Sequence, residues 1–497
     1  MMLRKFTTLL FFFGFFLHTN AQKVTAKLVN KENNNPIPFA TIQFSKIEGV
    51  MSNEEGVFEF VKPKKLSNHD SIKISSLGFR TKSFAYNDSL PKTIYLETEV
   101  FKIAPVVLSS KKMPVDQIIR KVKDNIKRNY LTNNVAYNVF LRENYYQKQK
   151  KWDLDVKKSS IKELDQHTID TIFNKIPREF ITVNESYSKF CLGGEEQSKT
   201  QIDKMMRISS KNQKFSIENM QTDFYNALQK NMKGNSYLVI KTGIIRLDKT
   251  ESVDSILTDM KGDQQKEIGD YAEAIQKSRN KNFRGFLDKL FIHSKSKQDF
   301  IHKSHNYTFE FKKFTEINND LVYVVRFVPK SKAKYKGTLY IDTETFAVVR
   351  AEVEGAQDIF DKQFNMLGIS SNIVNVSKTI LFEKNEDNQY YIKYYKSFSS
   401  HSQGVKRDFK IIEKNKIVKG KNKQNQLNLG VNIKSYSNSK WEMIFTNPKR
   451  ISENEFESFE TTTDYTLKEF TSYPKNFWNA YNILTPEKAI QELKIEE

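Results

Sequence analysis

Apolar and polar positions alternate with a period of two over much of this chain, which predicts strands rather than helices. The short β-prone runs Lys23–Val29, Phe39–Phe44, Val57–Val61, Ile72–Leu77, Lys82–Ala85 and Thr93–Leu96 are separated by turn clusters such as Asn33-Asn34-Asn35-Pro36 and Asn53-Glu54-Glu55-Gly56. About seven such strands, roughly 8–12 residues apart, predict a β-sandwich over residues 22–97. Gly56 supplies a turn conformation that a Cβ would strain, and Phe58 then points inward. Gly78 marks a bend or bulge before Phe79. Gly56, Phe58, Gly78 and Phe79 are accordingly read as fold determinants and not as ligand contacts.

After a linker over 98–113, the period lengthens. Val115, Ile118, Ile119, Val122 and Ile126 recur at helical spacing, so 114–128 is predicted to be an amphipathic helix with Pro114 near its start and a basic outer face. Ala136–Trp152 returns to aromatic-rich strand. Residues 155–290 mix signals: helical over Asp223–Met232 and Asp270–Asn280, extended over Tyr237–Leu247, and densely charged near Lys249–Glu267. From residue 300 the alternation is regular again. Tyr307–Phe311, Leu321–Val328, Gly337–Ile341 and Phe346–Val353 are joined by short polar turns, which predicts an antiparallel meander. Ile373–Phe382, Gln389–Phe398, Lys406–Ile412 and Trp441–Phe445 continue it. Near the C-terminus, Thr485 is the predicted N-cap and Pro486 the first position of a short helix carrying Ala489, Ile490 and Leu493. The predicted fold is mainly β with α+β character: an N-terminal sandwich, then a larger antiparallel-β domain over 114–497 with packed helices, with a subdivision near 290–300.

Three blocks occur in order in the N-terminal part: Pro36-Ile37-Pro38-Phe39-Ala40-Thr41-Ile42, Ser52-Asn53-Glu54-Glu55-Gly56-Val57-Phe58 and Ile74-Ser75-Ser76-Leu77-Gly78-Phe79-Arg80. On these residues the segment resembles the carboxypeptidase regulatory-like domain, a transthyretin-like sandwich common in exported proteins of Bacteroidota. The resemblance implies an accessory fold that carries no catalytic residues. The runs GTLYIDTETFAVVRAEVE and FWNAYNILTPEKAIQEL are similar to the segment that follows this sandwich in Bacteroidota envelope proteins, whose longer relatives continue into an outer-membrane barrel. The meander with a helix also resembles the half-barrel of periplasmic lipoprotein carriers, which implies, as an alternative function, a carrier or sensor of acyl chains.

The first residues bear on compartment. Arg4 and Lys5 precede the apolar run Phe6–Leu17, and Thr19-Asn20-Ala21 offers small residues before Gln22. The run is shorter than the roughly 20 residues that span a bilayer, so 1–21 is predicted to be a cleaved export signal. No long apolar stretch follows it. The expected location is the periplasm or the periplasmic face of the outer membrane.

Composition narrows the function. The 497 residues carry 80 Lys+Arg against 59 Asp+Glu, a formal charge of +21. In an exported protein this surplus predicts an envelope protein or an anionic envelope surface as partner, such as lipopolysaccharide phosphates or acidic headgroups, and not nucleic acid. The single cysteine, Cys191, excludes an internal disulfide framework. The 38 Phe and 22 Tyr must supply the cores. No HExxH zinc motif, nucleophile elbow or phosphate loop is present. His302 and His305 form the one closely spaced histidine pair, and Cys191 sits in an apolar neighbourhood that predicts a buried, inert thiol. No catalytic, metal or cofactor residue is predicted. A hydrolase that gathers His293, His302 and His401 in one cleft is the remaining enzymatic alternative.

Overall fold

The structure is a computed structural model that describes residues 23–45, 48–61, 71–85, 89–99, 113–194, 197–210, 220, 222–224, 226–233, 235–242, 245–250, 268–317, 320–330, 333–356, 364–385, 387–418 and 422–495. The expected export signal, most of the linker over 98–113 and most of the charged segment near Lys249–Glu267 lie outside the described residues. The chain divides into two compact units: unit 1 is Met1–Glu99 with Pro474–Gln491, and unit 2 is Val100–Tyr473 with Glu492–Glu497. The sequence assigned the C-terminal tail to the larger domain, and this division places most of it in unit 1 instead. Unit 2 is not subdivided near 290–300.

Unit 1 contains β1 (Lys23–Asn30), β2 (Thr41–Gln43), β3 (Gly49–Met51), β4 (Val57–Val61), β5 (Ser71–Ser76), β6 (Phe79–Ala85) and β7 (Thr93–Leu96). They form two sheets, ordered β4-β1-β7 and β3-β2-β5-β6. One core holds both: Leu28, Ile42, Phe44, Phe58, Phe60, Ile74 and Ile94 are buried in a single cluster, with Phe79 partly buried against it. Phe44 and Phe60 stack with centroids 4.8 Å apart. Gly56 has φ +75°, and a Cβ there would meet the Leu28 carbonyl oxygen at 2.4 Å. Gly78 has φ +77° before Phe79 opens β6.

Asn53 explains why the tail joins this unit. Its Oδ1 accepts from the backbone N–H of Glu55 at 3.0 Å and of Val57 at 2.9 Å, which fixes the turn before β4. Its Nδ2 donates to the Thr485 carbonyl at 3.2 Å. Asn482 Oδ1 accepts from the Val61 N–H at 3.1 Å. Trp478 and Leu484 are buried. Thr485 does not cap a helix as predicted: the terminal helix is the single turn Lys488–Gln491, and the Thr485 carbonyl serves Asn53.

Unit 2 is built on one sheet. Its strands are β8 (Val135–Ser159), β9 (Glu179–Leu192), β10 (Ser198–Ile208), β11 (Ser236–Thr242), β12 (Ile245–Thr250), β13 (Tyr307–Ile317), β14 (Asp320–Pro329), β15 (Tyr335–Asp342), β16 (Val348–Gly355), β17 (Phe364–Met366), β18 (Ile369–Lys384), β19 (Tyr390–Asn415), β20 (Lys423–Arg450) and β21 (Leu467–Phe470). The order is β13-β14-β15-β16-β18-β19-β20-β8-β9-β10-β21, with β11 on β19, β12 on β11 and β17 on β18. Pairing is antiparallel except between β10 and β21. The predicted strand Tyr237–Leu247 is the hairpin β11–β12, and the separate runs Gln389–Phe398 and Lys406–Ile412 are one 26-residue strand.

Among the described residues of unit 2 the helices are α1 (Val115–Asn129), α2 (Gln166–Phe173), α3 (Ile268–Leu287) and the short α4 (Glu453–Glu457). Residues 222–224 and 226–231 are also helical. Helix α1 buries Ile118, Ile119, Val122 and Ile126, the apolar stripe its spacing predicts. Tyr130, just after it, donates from its hydroxyl to the Val348 carbonyl at 3.1 Å and accepts from the Val348 N–H at 2.7 Å, tying the helix end to β16.

Candidate functional site

Directly opposed residues in a ladder share a face of the sheet. Register therefore sorts the side chains of unit 2. Tyr395, Met443, Leu141, Ser186 and Met205 form a row on one face. Helix α3 covers that face: Phe286 lies 3.9 Å from Tyr395 between centroids, and Phe283 lies 5.3 Å from Phe190. Farther along the same face, α2 with Phe224, Ala227 and Leu228 covers Leu427, Leu429 and Val431 with Leu154, Val156 and Ile411.

Between these two covered regions no such layer is formed by the described residues. No residue from Gly430 to Trp441 is buried, nor is any in β8 from Glu143 onward. The reason is local sequence. Phe398-Ser399-Ser400-His401-Ser402-Gln403-Gly404 pairs with Lys434-Ser435-Tyr436-Ser437-Asn438-Ser439-Lys440, so mostly polar side chains occupy both faces. Hydrogen bonds within the strands hold them: Ser400 Oγ donates to Asn438 Oδ1 at 2.8 Å, and Trp441 Nε1 donates to Ser439 Oγ at 3.1 Å. Lys406 and Lys434 project from this stretch as exposed cations.

The hairpin beside it has an unusual turn. Met366 pairs with Ile369 across Leu367-Gly368, and Met366, Leu367 and Ile369 are 57%, 55% and 41% exposed. Leu367 has φ +53° and Gly368 φ +77°. Asn and Gly are the ordinary occupants of such a turn. Leu367 thus has neither burial nor conformational preference in its favour.

The opposite face of the sheet, level with α3, holds a row of charges. Lys396, Glu442, Arg142 and Glu185 stand opposite one another on β19, β20, β8 and β9. Arg142, Glu185 and Glu442 are 1%, 0% and 1% exposed. Arg142 Nε donates to Glu185 Oε1 at 2.5 Å, Tyr473 donates to Glu185 Oε2 at 3.2 Å, and Tyr394 donates to Glu442 Oε1 at 3.1 Å. Burial and the neighbouring Glu185 hold the Tyr473 hydroxyl protonated well above its usual range. Lys440 lies 3.4 Å from Glu442 Oε2, so the second oxygen of that carboxylate faces a cation from its own strand.

Under α3, a cavity of about 310 Å³ is lined by Glu143, Asn184, Met205, Arg207, Ser278 and Arg279, among others. Glu143, Asn184 and Arg207 form one row of opposed residues on β8, β9 and β10. Arg279 Nη2 donates to Glu143 Oε2 at 3.0 Å, and Arg207 Nε donates to Asn184 Oδ1 at 3.0 Å. A second cavity, of about 300 Å³, lies beside the edge strand β13 and is lined by Met113, Pro114, Phe311, Phe314 and Tyr323.

The residues singled out in the sequence fall mostly elsewhere. Gly56, Phe58, Gly78 and Phe79 all lie in unit 1, at turns and in its core. Burial pushes the Cys191 thiol up to about 11. His302 contacts the Ile292 carbonyl at 3.3 Å, His401 contacts Ser399 Oγ at 3.2 Å, and burial lowers the pKa of His293. Among the described residues, no group of three metal-ligating side chains includes a histidine. Sequence reading missed Arg279, Glu143 and Arg207. Arg279 on the inner side of a helix stripe with Ile275, Phe283 and Phe286, beside the buried Gln276, was the signal available.

Neither a protein-family model nor a curated protein matches the chain. Among solved structures, a putative outer membrane lipoprotein-sorting protein domain from Vibrio parahaemolyticus aligns at 8% identity over 69% of this chain and 97% of that one, with a TM-score of 0.19. MucB in complex with MucA(peri) aligns at 7% identity over 64% and 94%, with a TM-score of 0.14. The Pseudomonas aeruginosa MucA/MucB complex gives 7% identity over 65% and 92%, with a TM-score of 0.16. Superpositions this loose give no basis for transferring architecture or role.

Proposed function

We propose that this protein is an exported, non-catalytic component of the cell envelope that binds a polar, anion-bearing envelope partner along the long sheet of unit 2. The single observation behind this reading is the stretch of β20 from Gly430 to Trp441, where the strand continues with no buried residue on either face. A sheet normally buries at least one face. Strands kept in register without that gain suit a surface maintained for contact. The exposed Lys406 and Lys434, within a chain of formal charge +21, favour an anionic partner. Unit 1 serves in this account as an accessory interaction module of the carboxypeptidase regulatory-like kind.

The carrier alternative is less well supported. Under the C-terminal half of α3 the sheet face is packed by rings of the chain itself, with Phe286, Tyr395, Phe445 and Phe190 all buried. Among the described residues, no helix is long and apolar enough to cross a membrane.

Fractionation of cells producing the full chain, with N-terminal sequencing, tests the reading. A polypeptide beginning at Gln22 in the envelope fraction is expected. An intact, unprocessed chain in the cytosol would overturn it, as would metal-dependent release of C-terminal residues from peptides by the purified protein.

A further inference from the structure

We infer that the cavity beneath α3 is a binding site for a small oxyanion, the phosphate or carboxylate group of a soluble ligand, gripped by Arg279 and Arg207. The inference stands apart from the reading of the long sheet. Arg279 is only 5% exposed, and one of its nitrogens, Nη2, is committed to Glu143. Its Nε and Nη1 are buried and have no hydrogen-bond partner among the described residues. Native proteins rarely leave buried donors unused, and a guanidinium presents its donors as a rigid fork that matches two oxygens of one anion.

The lining fits that use. Arg207, Asn184, Ser278 and Asn282 border the same cavity and all can donate. Arg207 spends Nε on Asn184 and lies 3.5 Å from Glu469 through Nη1. Glu143 is the one carboxylate in the lining and Glu469 pairs with Arg207 from outside it, so the attraction for an anion comes from the unused buried donors of Arg279. Its volume of about 310 Å³ accommodates a small ester or acid. Glu143 occupies part of the Arg279 fork, so it acts as an internal competitor of the ligand.

That competition makes the test specific. Calorimetric titration of the full mature chain with inorganic phosphate, glycerol 3-phosphate and acetate is expected to show saturable binding of at least one. Arg279→Lys keeps the charge and loses the fork, and is expected to weaken binding at least tenfold. Glu143→Gln removes the competitor and is expected to tighten binding severalfold. Stronger binding of the phosphates assigns a phosphoryl ligand, and stronger binding of acetate assigns a carboxylate; both support the site. Absence of binding for all three anions would overturn the inference, as would affinities unchanged in Arg279→Lys and Glu143→Gln. Should Arg279→Lys fail to fold by circular dichroism, Arg207→Met, at a partly exposed position, takes its place with the same expected loss.

Discussion

Arg142 and Glu185 face each other across β8 and β9, joined at 2.5 Å, and both are sealed from solvent. Tyr473 bonds the second oxygen of Glu185, so the carboxylate is satisfied on both sides. Breaking a buried pair leaves an uncompensated charge, which costs about 3–5 kcal/mol, whereas replacing both partners by apolar groups is often nearly neutral. Arg142→Met is therefore expected to lower the stability of unit 2 by about that amount, and Arg142→Met with Glu185→Leu to recover part of it, because the buried Glu442 still loses the arginine opposite it. Urea unfolding of the two variants checks this. Equal losses in the single and double variants would show that the pair does not act as a unit.

At the exposed turn of β17–β18 the backbone asks for a residue that tolerates φ +53°, and Leu367 stands there. Left-handed backbone costs an ordinary L-residue roughly 1–2 kcal/mol and asparagine less. Leu367→Asn is expected to raise thermal stability by about 1 kcal/mol. A loss of stability would mean that the leucine side chain supports the fold.

Unit 1 depends on one amide. Asn53→Asp removes the Nδ2 donor to the Thr485 carbonyl and puts a carboxylate in a position that is 1% exposed. The expected result is faster hydrogen exchange over 482–490, with the turn at Glu55–Val57, whose acceptor the aspartate keeps, and unit 2 unchanged. Protection preserved in the tail would contradict the placement of Asn53 as its anchor.

Helix α4 opens with a capping box in which Ser452 accepts from the Glu455 N–H and Glu455 accepts from the Ser452 N–H. Lys449 Nζ donates to Glu455 at 2.9 Å, and these bonds hold the carboxyl down to about 2. A depressed folded pKa stabilises the fold above the unfolded value and loses that contribution as pH falls through the folded one. The helix start should accordingly hold at pH 5 and loosen as pH falls from about 4.3 toward 2. Carbon-detected NMR titration of Glu455 is expected to give a midpoint near 2, raised by Lys449→Met. An ordinary carboxylate midpoint would contradict the box.

The sequence was legible wherever one face of an element is buried. Val57–Val61 alternates in exposure as its apolar residues require, and the stripe Ile118, Ile119, Val122, Ile126 places α1 within a residue of its observed ends. Legibility failed where that asymmetry is missing. Ser397–Gly404 and Lys434–Lys440 have polar residues on both faces, so alternation carries no signal, and β19 read as two strands with a gap at the stretch now proposed to bind. The tail was misassigned because its attachment rests on hydrogen bonds from Asn53 and Asn482, which leave no periodic trace. The cavity under α3 joins residues more than a hundred positions apart, Glu143 and Arg279, and no spacing rule connects them.

The central claim is that the uncovered middle of the long sheet is a contact surface. Site-specific photocrosslinking in living cells tests it most directly, with the reactive residue placed in turn at Tyr436, Lys406 and, as a control on the edge strand β13, Glu310. Discrete adducts with one envelope component at Tyr436 and Lys406, and none at Glu310, are the predicted result. No adduct at the two sheet positions, or the same adducts at all three, would contradict the account.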